Sequence, residues 1–161
     1  MSFVVWFYGI SGSGKTTCGN YLADQLNSHN VKSIRLDADV LRHKFWPELG
    51  VDFKSRKENT KRIALLAKEF SQKGLNVIVS AAAPFKEQRI EILSIIPETK
   101  FIYVSTPLDV CIKRKPMYFA DNDDNKVIAV DAEPYPNSVI CGDKSLLDLY
   151  GYINSLVTRL L

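Results

Sequence analysis

Residues 9–17 read GISGSGKTT, and Gly9, Gly14, Lys15 and Thr16 fall at the spacing G-x-x-x-x-G-K-[ST] of a phosphate-binding loop. Each residue type has a task. The glycines let the backbone curl, so that N–H groups along Ser11, Gly12, Ser13, Gly14, Lys15, Thr16 and Thr17 converge on a phosphate at the positive end of the next helix. Lys15 then reaches the β- and γ-phosphates of a nucleoside triphosphate such as ATP, and the Thr16 hydroxyl suits Mg²⁺. A second set of candidates lies in LDADVLR, where Asp37 and Asp39 stand two apart. A carboxylate there can take a proton from an acceptor hydroxyl or organise Mg²⁺. The two point the same way if a strand runs on, and diverge if a helix begins at Asp39, which then serves as its cap.

These residues need a scaffold, and apolar runs alternating with helix-period segments supply one: βα units that build a parallel sheet. Strands are expected at 3–8, 32–36, 76–80, 100–105 and 138–141, and helices near 14–28, 55–73, 86–95, 107–114 and 145–160. In the second helix Ile63, Leu66, Ala67 and Phe70 recur at i, i+3, i+4 and i+7, which buries one stripe. Ser55 can cap that helix and Gly74 can end it. Thr106 followed by Pro107 reads as a cap with proline in the first turn. The phosphate-binding loop thus stands between a strand and a helix, the context its chemistry requires. Residues 115–137 break the pattern with Pro, Asn and Asp, and are expected to form an irregular lid.

The whole predicts an α/β fold of the P-loop NTPase type: a three-layer sandwich with a five-stranded parallel sheet flanked by helices, in one domain over 1–161. With 21 Lys and Arg against 18 Asp and Glu, the net charge is +3 and the basic residues are scattered. That balance gives no case for a nucleic-acid polymer as partner. Cys18, Cys111 and Cys141 are odd in number and form no C-x-x-C pair, so reduced thiols in a cytoplasmic protein are expected. FVVWFYGI is too short to cross a bilayer, and the charged start of a signal peptide is not seen.

A GTPase would show N-K-x-D for guanine and D-x-x-G for its switch, and neither stands in a suitable place. Two classes remain. One is a small-molecule kinase with Asp37 as its acid; the other is a non-catalytic nucleotide-binding sensor, which has no need of that carboxylate.

The motifs together resemble those of the adenylylsulfate (APS) kinases, which move the γ-phosphate of ATP to the ribose 3′-hydroxyl of APS. GISGSGKTT is similar to that family's G-L-S-G-[SA]-G-K-[ST]-T, and LDADVLR to its L-D-G-D-x-x-R, with Ala38 replacing the glycine. SRKENTKRIALLAKEF, APFKEQR, YVSTPLDVCIKR and VDAEPYP follow in family order. The resemblance implies ATP and Mg²⁺ as cofactors, Asp37 and Lys15 as catalytic residues, and Thr16 and Asp37 at the metal. It places Arg114 beside the ATP base and lid. Asp39, Arg42, Phe53, Arg56, Asn59, Ser80, Pro84 and Lys126 fall to the acceptor, with Lys115 as the other match for the lid lysine. It also implies a homodimer.

The chain departs from the family on the acceptor side. The lid is shorter, and Ile128 or Ala129 stands where a stacking Phe is usual, leaving Tyr118 or Phe119 to supply an aromatic ring. Ala81 and Ala82 replace larger residues. Adenylylsulfate is the expected acceptor; the alternative is another nucleoside 5′-diphosphate conjugate, such as cytidine diphosphoramidate.

Overall fold

The computed structural model describes residues 2–120, 123–134 and 136–161. Five strands, β1 (Val4–Tyr8), β2 (Ser33–Asp37), β3 (Asn76–Ser80), β4 (Lys100–Ser105) and β5 (Ser138–Cys141), form one sheet in the order β2-β3-β1-β4-β5. Every pair is parallel. The expected strands are therefore all present, each within a residue of its expected start. Among the described residues seven helices flank them: α1 (Lys15–Ser28), α2 (Ala38–Phe45), α3 (Phe53–Gln72), α4 (Lys86–Ile95), α5 (Leu108–Arg114), α6 (Pro116–Phe119) and α7 (Leu146–Leu160).

Two apolar clusters hold the layers, one on each face of the sheet. On one face Val4, Trp6, Tyr8, Val77 and Val79 meet Ile63, Ala64 and Ala67 of α3 and Ile92 of α4. On the other, Val5, Phe7, Ile78 and Ile102 meet Cys18, Leu22 and Leu26 of α1 and Ile153 of α7. Strand β1 is buried throughout, which is why it reads as a continuous apolar run rather than an alternating one. The three-layer sandwich expected from the sequence is thus observed.

Helix ends show where local signals were overruled. Asp52, not Ser55, caps α3: its Oδ1 accepts from the Ser55 N–H at 3.0 Å and its Oδ2 from the Ser55 hydroxyl at 2.7 Å. A carboxylate with two acceptor oxygens outcompetes the hydroxyl three residues on. Thr106 does not cap α5, whose N-cap is Pro107, because its hydroxyl donates instead to the Ser13 carbonyl at 2.7 Å. Gly74 does end α3, with φ 82° and a bond from the Leu75 N–H back to the Phe70 carbonyl, the pattern that favours glycine.

Helices α2 and α6 lie outside the expected elements. Neither has a fully buried residue; α2 packs only Ala38 and Leu41 against the core, too short a stripe to mark it. Asp121, Asn122 and Tyr135, which belong to the expected lid and to VDAEPYP, lie outside the described residues. No helix among the described residues is long and apolar enough to cross a membrane.

Candidate active site

The carboxyl ends of β1, β2 and β3 open onto one cleft of about 700 Å³, where ligands sit in open α/β sheets. On its first side the loop after β1 turns into α1. Gly9 adopts φ 151°, and a Cβ there would stand 2.7 Å from the Val104 carbonyl oxygen and 2.9 Å from the Ser13 hydroxyl. Gly14 precedes α1 and offers no side-chain cap, so first-turn N–H groups are left for a ligand. Beneath the loop the Ser13 hydroxyl is buried without a hydrogen-bond partner among the described residues.

Lys15 lies on its own loop, Nζ donating to the Ile10 carbonyl at 2.8 Å. Loss of hydration, partly offset by Asp39, lowers its pKa from 10.5 to about 8. The unfolded chain keeps that proton to higher pH, so this group adds stability as pH rises from about 8 towards 10.5, where the unfolded state binds more protons. A bound polyphosphate reverses the preference by favouring the charged form. ATP affinity is accordingly expected to fall above pH 8, by up to about tenfold per pH unit, and binding to take up a proton there. Calorimetry in two buffers of different ionisation enthalpy reads that uptake; affinity flat across this range would refute it.

At the end of β2 the two candidate acids part company. Asp37 is the last strand residue and the N-cap of α2, its Oδ1 accepting from the N–H groups of Asp39 and Val40 at 3.1 and 3.3 Å. Its other oxygen, Oδ2, accepts from the Thr16 hydroxyl at 2.9 Å. The helix begins at Ala38, so Asp39 is not the cap; it lies in the first turn, 3.7 Å from Arg42. Register puts Asp37 opposite Ser80, whose hydroxyl donates to the Lys15 carbonyl at 3.2 Å. Among the described residues no cluster of three or more His, Cys, Asp or Glu could hold a metal. A hydroxyl and one carboxylate, completed by phosphates and water, is a set that fits Mg²⁺.

Arg114 ties the loop to the turn after β5, donating to the carbonyls of Gly12 at 3.1 Å and Gly142 at 2.7 Å. A Cβ on Gly142 would collide with the Thr106 hydroxyl and the Ser13 carbonyl. Gly142→Ala is expected to cost about 1–3 kcal/mol by overpacking and to raise the KM for ATP while sparing that for the acceptor. Thermal melts and steady-state kinetics check both; an unchanged ATP KM would show that this contact does not shape the loop.

The opposite wall comes from α2, α3 and the end of β3. Asp39, Arg42, Arg56, Asn59, Ser80 and Pro84 all line the cleft, with Ser11, Gly12, Gly14, Lys15, Thr16, Thr17 and Arg114 across from them. Arg56 donates from Nε to the Val51 carbonyl at 2.6 Å and from Nη2 to the Tyr118 hydroxyl at 3.4 Å and the Asn125 carbonyl at 3.3 Å, joining α3 to the lid. The alanine run is a backbone hub. The Ala81 carbonyl accepts from the Trp6 indole at 3.3 Å, Ala82 from the Gly9 N–H at 3.1 Å, and Ala83 from Arg89 at 2.6 Å.

Two acceptor candidates stand apart from this wall. Phe53 is 48% exposed and packs edge-on against Phe85, centroids 4.9 Å apart; Val51 lines the cleft instead. Lys126 is not among the lining residues, whereas Lys115 is. Of the two aromatics, Tyr118 lines the cleft, while Phe119 packs on Ile10, Cys111 and Val127 under the lid. Val51, Gly142 and Lys144 line the cleft and were missed. Only Gly142 left a signal, a glycine directly after the last strand.

A parallel sheet in this order, with a phosphate-binding loop after the first strand and an acid at the end of the second, defines a P-loop protein with the fold of small-molecule kinases. The chain belongs to the adenylylsulphate kinase family, whose sequence model matches residues 1–129. The adenylyl-sulfate kinase of Bacillus velezensis is 41% identical over 117 residues, 71% of this chain and 59% of that protein. That of Chloroflexus aurantiacus is 40% identical over 111 residues, 69% of this chain and 60% of that one. The matched segment thus spans about three fifths of the length of these relatives. The fold is that of Mycobacterium tuberculosis APS kinase CysC, solved in complex with AMPPNP and APS. The TM-score is 0.87 at 24% identity, over 99% of this chain and 97% of the other.

Proposed function

We propose that this chain is an ATP- and Mg²⁺-dependent kinase that transfers the γ-phosphate to the ribose 3′-hydroxyl of adenylylsulfate. The observation that carries it is the Asp37 carboxylate, 2.9 Å from the Thr16 hydroxyl in a cleft that continues to Arg42, Arg56 and Asn59. A binder of nucleotide alone needs the loop but not the acid.

In this reading the loop N–H groups and Lys15 hold the β- and γ-phosphates, and Arg114 borders the base. Thr16 and Asp37 would hold Mg²⁺, which would supply charge neutralisation on the phosphates. Arg42, Arg56 and Asn59 seat the acceptor so that its hydroxyl lies in line with the γ-phosphorus. The new bond joins that oxygen to phosphorus, the bond to ADP breaks, and Asp37 orients the hydroxyl or takes its proton. Electrostatic positioning of this kind carries most of the catalysis in phosphoryl transfer.

A second reading keeps the chemistry and changes the acceptor to another nucleoside 5′-diphosphate conjugate, such as cytidine diphosphoramidate. It is favoured by Ile128, 59% exposed at the position expected for a stacking ring. ADP release is to be followed with MgATP and either APS or a panel of adenosine and cytidine 5′-diphosphate conjugates. Turnover with APS supports the first reading, turnover with a cytidine compound alone supports the second, and none with any acceptor sinks both. A cytoplasmic single-domain protein that pairs as a homodimer completes the proposal, on the strength of its family; sedimentation tests the pairing.

A further inference from the structure

We propose that Trp46, which follows α2, is a positioning residue for the acceptor: it fixes the Asn59 side-chain amide with its NH₂ group directed at the bound nucleotide. The inference rests on the reading of Asn59 as an acceptor contact. The Trp46 indole N–H lies 2.6 Å from Asn59 Oδ1. An indole nitrogen only donates, so the atom facing it must be the amide oxygen, and the orientation of Asn59 follows from chemistry alone. Asn59 is 9% exposed and lines the cleft. Its oxygen being engaged, the group left to the cleft is the Nδ2 donor pair, which has no protein partner among the described residues.

The other side-chain amide in this wall, Gln88, cannot take over this task. Gln88 Nε2 is committed to the Arg56 carbonyl at 3.1 Å and the Thr60 hydroxyl at 3.3 Å, and Gln88 Oε1 accepts from the Phe85 N–H at 3.1 Å. Trp46 is itself braced from outside. The Arg62 guanidinium lies 5.7 Å from its ring centroid, held by Glu58 at 2.8 Å and Glu48 at 2.6 Å. A chain of fixed groups therefore runs from the surface of α3 to the Asn59 NH₂ group in the cleft. The site selects an acceptor that presents a lone pair there, a carbonyl, ring nitrogen or hydroxyl oxygen, over one that presents a donor.

The test uses kinetics at saturating MgATP, with the acceptor of the panel above that turns over fastest, in Trp46→Phe, Asn59→Ala, Asn59→Asp and the Trp46→Phe, Asn59→Ala double variant. Trp46→Phe removes the N–H and frees the amide to rotate. The acceptor KM is expected to rise about threefold to tenfold, the worth of one hydrogen bond, with kcat and the KM for ATP within about twofold. Asn59→Asp keeps an oxygen for the indole but offers no donor, and is expected to raise the acceptor KM about tenfold or more. Because Trp46 acts through Asn59, the double variant should match Asn59→Ala rather than multiply the two effects.

A Trp46→Phe variant with unchanged acceptor KM beside an impaired Asn59→Ala overturns the inference and leaves the proposed function standing. Multiplying effects also overturn it, since Trp46 then acts by contact area alone. An unaffected Asn59→Ala removes both the inference and the reading of Asn59 on which it rests. With two tryptophans in the chain, the indole N–H signals give a measurement independent of any folding defect. The Trp46 signal should shift when acceptor binds the wild-type protein and not the Asn59→Asp variant, and absence of a wild-type shift overturns the inference.

Discussion

Asp37→Asn is expected to lower kcat by about 10²- to 10⁴-fold, the range for loss of a positioned acid or base, with the fold intact. The substitution is clean because Asp37 has two tasks that the amide separates. Asparagine caps a helix about as well as aspartate, so the bonds from the Asp39 and Val40 N–H groups survive and α2 stays in place. What is lost is the negative charge beside Thr16, and with it the oxygen proposed above to orient or deprotonate the acceptor and to favour Mg²⁺. Asp37→Ala would remove the cap as well. Since α2 holds no fully buried side chain, that variant would loosen Arg42 and confuse binding with chemistry. Near-normal turnover of Asp37→Asn with unchanged ATP binding would show that the catalytic acid lies elsewhere.

Arg89→Met is expected to destabilise the protein by about 3 kcal/mol or more, by leaving three carbonyls unpartnered at roughly 1–3 kcal/mol each. Arg89 is fully buried and donates to Ala83 and Glu133 at 2.6 Å and to the Asp131 carbonyl. Its guanidinium also lies 4.7 Å from the Tyr8 ring centroid. Burial pushes its pKa down, so the charge is held at a cost that methionine would relieve. That relief is outweighed because the carbonyls cannot be removed with the cation. The melting temperature should fall by roughly 6–12 °C, with faster amide exchange at residues 131–133 as that segment comes loose from the end of β3. A melting temperature within about 2 °C of wild type would mean that water satisfies those carbonyls.

How much of this was legible in the sequence depended on whether a residue's partner was local. GISGSGKTT carried its own context, since the strand before it is apolar and the helix after it is periodic. Asp37 was legible as an acid at a strand end, but not as the cap, because α2 is two turns long and packs only Ala38 and Leu41 on the core. Thr106 was misread because its partner, the Ser13 carbonyl, lies far away in sequence. Tyr118 and Phe119 are adjacent in one turn and chemically alike, and only tertiary structure sends one to the cleft and the other under the lid. The Ala81–Ala83 carbonyls likewise acquire their partners, Trp6, Gly9 and Arg89, through the fold.

The two sides of the cleft stand on separate foundations. The loop that grips phosphate rests on α1 and the cluster with α7, whereas the wall facing it rests on α3, α4 and the cluster on the opposite face of the sheet. The two meet at the cleft floor, where Thr16 bonds Asp37, Ser80 bonds Lys15 and Gly9 bonds Ala82; changes in the helices away from that floor add with little interference, as distant sites do. For the kinase proposed above, such a scaffold would let the acceptor change by drift in the outer helices of one side while the grip on the phosphate donor is kept.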